Sequence, residues 1–293
     1  PRSTLFPYTT LFRSVDGHEI VTSGAEPRWR KNGRDTNNDG LLTYPADGID
    51  LNRTYDFNWA HGGSGEVTSE RYRGEMPFSE PETRALAGLA QRERFLLSLT
   101  YHSQGEVIYY PWNWAGHKAP DDALLTSIAR GLAGSIRTMK GDSTYKAEYG
   151  AGLVGQSYPW FYGVLGTFDF IIETGKGASF MPPWEVDGIV KANLEGARYI
   201  LNRADGPGLA VRIVDEKSGQ PLEAQVWFPA IETEAVRRRT SNPATGMYFR
   251  LLMPGSYRYI VTCTGYEPII CRDLVIEKTG WKRVELRLKK GKG

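Results

Sequence analysis

Apolar positions along the chain follow two regimes. Up to about residue 204, strand-length apolar runs alternate with stretches of helical spacing, which points to an α/β arrangement. Beyond Leu209, short segments alternate apolar and polar residues between turn signals. In the first regime, Ile49 and Leu51 predict a short strand that breaks into Asn52-Arg53 and an aromatic run, Tyr55, Phe57 and Trp59. Ser79 stands where it would cap a helix over 81–94, with acids in the first turn and Ala85, Leu86 and Leu89 facing inward. Residues 95–101 form a continuous apolar run, expected as a strand buried on both faces and ending at His102. A second strand is expected over 107–112. Leu124, Leu125, Ile128, Leu132 and Ile136 then recur at helical spacing within 120–139. Residues 145–160 are rich in Gly and Tyr, lack a clear period and read as a loop. A strand over 167–173 and a helix over 184–203 close this part.

Asp205-Gly206-Pro207-Gly208 reads as a linker. The strands expected at 210–214, 224–228, 246–251, 256–262 and 283–288 predict a small all-β sandwich over 209–289, followed by a basic tail. The fold class expected is therefore α/β over 15–204, plus that sandwich; the resemblance drawn below implies a mixed sheet flanked by helices for the first part.

Composition narrows the function classes. Hydrophobic content of 40% and charged content of 24% are ordinary for a globular chain of 293 residues. A net charge of +2 with no long basic run argues against a nucleic-acid partner. No apolar stretch approaches the roughly 20 residues a membrane span needs. Cys263 and Cys271 flank Gly265-Tyr266-Glu267-Pro268 almost symmetrically. That spacing leaves open a disulfide across a hairpin, which suits an oxidising compartment, or two thiols.

Three groups of residues carry candidate chemistry. The Arg53 guanidinium beside the Asn52 carboxamide suits a carboxylate: the planar fork gives two parallel bonds and the amide adds a donor. His102 at a strand end, and Glu173 at the tip of another, lie where open α/β sheets place their sites. Asp35, Asn37 and Asp39 alternate ahead of Gly40 as a calcium loop begins, although Ala46 stands where the closing Glu belongs and Asp47 or Asp50 would have to substitute. A plain turn fits the same residues.

The order of several segments adds a resemblance. Arg28-Trp29-Arg30-Lys31-Asn32, then Gly48-Ile49-Asp50-Leu51-Asn52-Arg53, Ser69-Glu70-Arg71-Tyr72-Arg73-Gly74, Ser79-Glu80-Pro81-Glu82, His102-Ser103 and Glu173 follow one another. This series resembles the zinc carboxypeptidases of the carboxypeptidase A/B type and covers roughly 15–202. The resemblance implies a three-layer carboxypeptidase-like fold and removal of the last residue from a peptide with a free C-terminus. It implies that Asn52 and Arg53 hold the terminal carboxylate and that Arg30 stabilises the oxyanion. Glu173 would be the general base, and Tyr149 a residue closing over substrate from a loop. It implies zinc, with His102 as one ligand. Aligning on Thr174-Gly175 instead would put Phe170 in the place of the base, which its chemistry excludes. Gln104 stands where the family often has Tyr. Tyr158 lies near the position that sets side-chain preference, and without an acid there a C-terminal Lys or Arg is not favoured. A secreted or periplasmic setting is also implied. Ser218-Gly219-Gln220-Pro221-Leu222 and Pro254-Gly255-Ser256-Tyr257 resemble the turns of the transthyretin-like domain appended to many carboxypeptidases.

One departure stands out. The family holds zinc with an H-x-x-E motif and a distant His, yet His18, His61, His102 and His117 all lack a Glu three residues on. His18 and His61 read as surface residues. Residues 1–14 (PRSTLFPYTTLFRS) resemble the translated text of a sequencing adapter. Two of three zinc ligands are thus expected upstream of residue 15, and the polypeptide as written is expected to be inactive. The alternatives are a peptidoglycan stem-peptide hydrolase or deacylase on the same scaffold, or a catalytically dead binding protein.

Overall fold

The computed structural model describes residues 14–150, 154–177 and 182–291. The backbone divides into two compact units, one of residues up to Leu89 with Val154–Ser157, the other of Ala90–Leu153 and the chain from Tyr158.

The first unit opens on helix α1, Val15–Thr22. Residues 15–18 form its first turn, capped by Ser14, whose Oγ accepts from the Gly17 N–H at 2.9 Å. His18 is exposed on this helix, and His61 is exposed in a later turn. The strand expected at Ile49 and Leu51 is instead an extended stretch running into a 3₁₀ turn, Leu51–Arg53. A side chain supplies what a neighbouring strand would. The Ile49 N–H donates to Asn32 Oδ1 at 2.8 Å, and the Asp50 carboxylate caps the turn by accepting from the Asn52 N–H at 3.0 Å. Gly48 has φ +82°, and a Cβ there would lie 2.4 Å from the Asn32 carbonyl oxygen. Only glycine lets these two segments approach so closely.

The calcium reading of Asp35, Asn37 and Asp39 finds no support. Asp35 accepts from the N–H groups of Asn38 (2.7 Å) and Gly40 (2.8 Å), and Asp39 from that of Leu41 (2.8 Å). Asn37 Oδ1 accepts from the Asp39 N–H at 2.9 Å. The oxygens serve the loop's own donors, as in Asx turns.

Helix α2 spans Pro81–Glu93. Ser79 does not cap it. Pro81 occupies the first helical position, so Glu80 falls at the cap, and the buried Ser79 Oγ has no hydrogen bond with the described residues. The buried stripe is Thr83, Ala87 and Ala90, leaving Ala85 exposed.

In the second unit, strands β1 (Leu97–His102), β2 (Val107–Tyr110), β5 (Lys146–Tyr149) and β6 (Phe168–Glu173) form a mixed sheet ordered β1-β6-β2-β5. Two-residue strands β3 (Asn113–Trp114) and β4 (His117–Lys118) make a small hairpin. β6 is buried along most of its length, but β1 is not buried on both faces: Tyr101 is 45% exposed. The expected amphipathic helix is α3, Asp122–Ser135, with Leu124, Leu125, Ile128 and Leu132 buried. It packs on α5, Pro183–Arg203, where Gly131 lies against the Tyr199 ring. Part of the expected 145–160 loop is ordered as β5 and a short helix, α4 (Ser157–Trp160), which continues into a π-helical turn, Phe161–Leu165. Phe180 and Met181 fall outside the described residues.

The same unit carries two further sheets. β7 (Gly208–Asp215), β10 (Met247–Leu251) and β13 (Trp281–Leu288) form one, ordered β10-β7-β13. β8 (Gln225–Trp227), β9 (Arg239–Thr240), β11 (Gly255–Thr262) and β12 (Ile269–Ile276) form the other, ordered β12-β11-β8-β9. Both sheets feed one buried cluster, including Val211 and Ile213 from the first and Val226, Tyr259 and Leu274 from the second. Both cysteines are free. Register explains it: Tyr259 faces Cys271 and Val261 faces Ile269, so the hairpin turns around Gly265 and Cys263 lies four residues from the position opposite Cys271.

Candidate active site

Arg30, Asn52 and Arg53 come together in the first unit, around Asp50, which the sequence suggested only as a stand-in ligand for calcium. Asp50 is 2% exposed. Its Oδ2 lies 3.0 Å from Arg30 Nε and 3.8 Å from Arg53 Nε. Its Oδ1 takes the Asn52 N–H, so one buried carboxylate fixes two guanidinium groups and the turn between them. The Asp-x-Asn spacing of an Asx turn was the available signal.

The two arginines differ in how they are held. Arg53 is 7% exposed, and its Nη1 donates to the Asn52 carbonyl oxygen at 2.8 Å. Arg30 keeps 41% of its side chain exposed, and its terminal amino groups make no hydrogen bond with the described residues. Asn52 Oδ1 accepts from the Ser157 N–H at 3.1 Å, which orients the amide. The support extends outward through Asn32. Its Nδ2 donates to Glu80 at 2.8 Å, and Arg34 pairs with the other Glu80 oxygen at 2.8 Å. Lys31 is buried alongside, donating to the Pro45 and Val67 carbonyl oxygens, and burial pulls its pKa below the usual lysine value. This arrangement offers cationic donors, already oriented, to an anion with two oxygens.

His102, Glu173 and Tyr149 belong to the second unit. His102 and Glu173 are directly paired residues at the ends of β1 and β6. His102 Nδ1 lies 3.8 Å from Glu173 Oε1, with the side chains 19% and 18% exposed. Thr174 anchors the turn beyond them: both its N–H (2.8 Å) and its hydroxyl (2.9 Å) donate to the His102 carbonyl oxygen. Glu173 is thus a half-buried carboxylate at the end of a paired strand, a group whose chemistry can accept and return a proton. Tyr149 ends β5 rather than lying in a loop. Its hydroxyl donates to Asp122 at 2.6 Å, its ring meets Tyr110 at 4.7 Å, and Lys118 lies over it at 4.9 Å. Tyr158 is buried.

The residues present do not complete a zinc site. Among the described residues no group of three or more His, Cys, Asp or Glu side chains is placed to hold a metal ion. His102 and Glu173 make a pair, not a ligand set. Among the described residues no helix is long and apolar enough to cross a membrane.

The family model for zinc carboxypeptidases matches residues 12–196. Carboxypeptidase O of Bos taurus is 25% identical over 205 residues, covering 67% of this chain and 53% of that protein. Carboxypeptidase B of Rattus norvegicus is 27% identical over 202 residues, covering 64% and 46%. The crystal structure of carboxypeptidase A from Helicoverpa armigera superposes with a TM-score of 0.53 at 25% identity, covering 64% and 48%. The chain spans about half the length of the curated relatives it matches. With a family match that runs over residues 12–196, well over half of its length, the chain belongs to the zinc carboxypeptidase family.

Proposed function

We propose that this chain carries the substrate-holding and proton-transfer parts of a metallocarboxypeptidase, a hydrolase that removes C-terminal residues from peptides. The observation that carries the reading is the gathering of Arg30, Arg53 and Asn52 on the buried Asp50. In this reading Arg53 and Asn52 hold the free carboxylate of the last residue. Arg30 meets the negative charge that develops on the carbonyl oxygen of the last amide. Glu173 accepts a proton from the attacking water and returns it to the leaving amine. The clamp confines cleavage to chain ends, because an internal peptide has no carboxylate to offer. Tyr149 is proposed to contact substrate near Lys118 and Tyr110.

His102 is the zinc ligand that the family resemblance assigns. The described residues supply no complete set beside it, so no step above runs through a metal. The 293-residue chain is accordingly proposed to bind peptides without turning them over. Incubating it with zinc and a peptide, with product followed by mass spectrometry, tests this. Binding without product is expected; turnover abolished by a chelator would contradict it. Absence of any binding would remove the clamp reading as well. A second reading, a binding protein on a peptidase scaffold, is favoured by the same missing ligand set and foresees no turnover under any metal. The two sheets beyond Gly208 are proposed to be a transthyretin-like β-sandwich, supported by their shared core and by the turn sequences. An extracytoplasmic setting belongs to the same proposal and rests on the family resemblance.

A further inference from the structure

The four-stranded sheet of the second unit has two edges that are built differently. β5 is guarded: Lys146 and Glu148 stand exposed on it, and such charges keep a free edge from pairing with another chain. β1 carries no such guard. Leu97-Ser98-Leu99-Thr100-Tyr101-His102 contains no Lys, Arg, Asp, Glu or Pro, and β6 is its one neighbour among the described strands. The Leu96 and His102 carbonyl oxygens accept from the Phe168 and Thr174 N–H groups on the β6 side. By the two-residue period of a strand, Ser98 and Thr100 also turn their backbone groups to β6, while those of Leu97, Leu99 and Tyr101 turn outward. Among the described residues no strand takes these groups up. Leu97 and Leu99 are part-exposed and Tyr101 is exposed, so the edge is open to solvent.

We infer that β1 pairs antiparallel with β1 of a second copy of this chain. The outward set, Leu97, Leu99 and Tyr101, is symmetric about Leu99. A two-fold axis beside Leu99 sets it opposite the partner's Leu99, and sets Leu97 opposite the partner's Tyr101. Each such pair exchanges its N–H and C=O groups, so every outward backbone group of both strands is used. A slip of one residue would oppose outward groups with groups already committed to β6. The side chains agree with this register. Those of Leu97, Leu99 and Tyr101 lie on one face of the sheet, so the Tyr101 ring gains the partner's Leu97 as neighbour, an aromatic–aliphatic pair that favours strand pairing. The strand thus supplies its own complement in backbone and side chains, which is what selects a second copy as the occupant. The product is one sheet that runs β5-β2-β6-β1 and returns through the partner. The exposed apolar row of α5, Val186, Val190, Leu194 and Leu201, is the rival surface, but it carries nothing that selects an occupant.

Sedimentation equilibrium of the full chain, up to roughly 200 μM so that weak association registers, is expected to show monomer and dimer in exchange. Leu99→Lys sets two cations face to face on the axis and should weaken the dimer by at least about tenfold. Oxidative cross-linking reads the register. Hydrogen-bonded partners in an antiparallel pair lie about 5.5 Å apart at Cα, within disulfide reach. Leu99→Cys should cross-link with itself. Leu97→Cys should cross-link with Tyr101→Cys in a mixture, and neither should do so alone. The parent, which keeps Cys263 and Cys271 as free thiols, sets the background. The cysteine variants preserve the test if Leu99→Lys fails to fold. A parent that stays monomeric throughout would overturn the inference and leave this edge to a strand of another protein. A dimer that survives Leu99→Lys and gives no cross-link in Leu99→Cys would overturn it too, and its loss in Leu194→Lys would assign the association to α5.

Discussion

Asp50 in the first unit and Asp121 in the second each share one carboxylate between two arginines, yet their surroundings differ. Around Asp121 everything is sealed. Arg239 and Arg250 have side chains 5% and 1% exposed, the Tyr162 hydroxyl donates at 2.7 Å, and Glu232 takes the far end of Arg250. Burial alone would raise the Asp121 pKa, but Arg250 and Arg239 outweigh it and hold the carboxyl below its usual range. Burial, with the same carboxylate beside it, pushes the Tyr162 hydroxyl far above the usual tyrosine value. Around Asp50 one arm stays open, since the Arg30 side chain is 41% exposed. A closed acid–arginine cluster spends all its charge on the fold. An open one holds a guanidinium by its Nε edge and leaves its outer donors for a visitor. The lesson is that two buried carboxylates with the same kind of partners leave their arginines differently placed: Asp121 closes both in, whereas Asp50 leaves Arg30 facing solvent.

The comparison is broken first at Asp121. Asp121→Asn keeps the shape but leaves buried Arg239 without its acid and Arg250 with Glu232 alone, and a loss of about 3–5 kcal/mol is expected by denaturant unfolding. Asp50→Asn should cost less, about 1–3 kcal/mol, because asparagine can still cap the turn and Arg30 can turn to water. If the two losses were equal, the distinction between sealed and open clusters would fail. Arg30→Ala is expected to change stability by less than about 1 kcal/mol, as for other partly exposed ion pairs, while Arg53 is too buried to be removed so lightly. The smallest effect is expected at Asp215. Bonds from the Ser218 N–H and hydroxyl, with the Tyr266 hydroxyl, lower its pKa to about 2. An acid depressed on folding adds stability that is complete above its ordinary value near 3.8 and is lost as pH falls through about 2. Asp215→Asn should flatten that acid limb in a pH series of unfolding midpoints.

Much of the fold was legible because its periods are strong. The α3 stripe and the apolar run of β6 lie where hydrophobic spacing puts them. Legibility failed where side chains replace backbone partners. Ile49 resembles strand, but Asn32 Oδ1 is its partner, and no spacing rule announces a bond across 17 residues. β12 went unread because Arg272-Asp273 interrupts its apolar alternation and its pairing with β11 shifts register near Tyr257. That register also separates the two cysteines, whose symmetry about the turn was only apparent. The helix cap moved from Ser79 to Glu80 because Pro81 dictates where the helix begins. In the site, Arg30, Asn52 and Arg53 were recognisable one by one. Asp50, which joins them, was hidden as an ordinary polar residue of an expected strand.

The most direct test compares a short peptide with its C-terminal amide, each titrated into the full chain by calorimetry, and repeats the comparison with Arg53→Met. The acid is expected to bind at least about tenfold more tightly than the amide, with the difference collapsing in the variant, as loss of a charged hydrogen bond requires. Equal affinities for acid and amide, or a preference that survives in Arg53→Met, would contradict the assignment of this cluster as the grip on a free carboxylate.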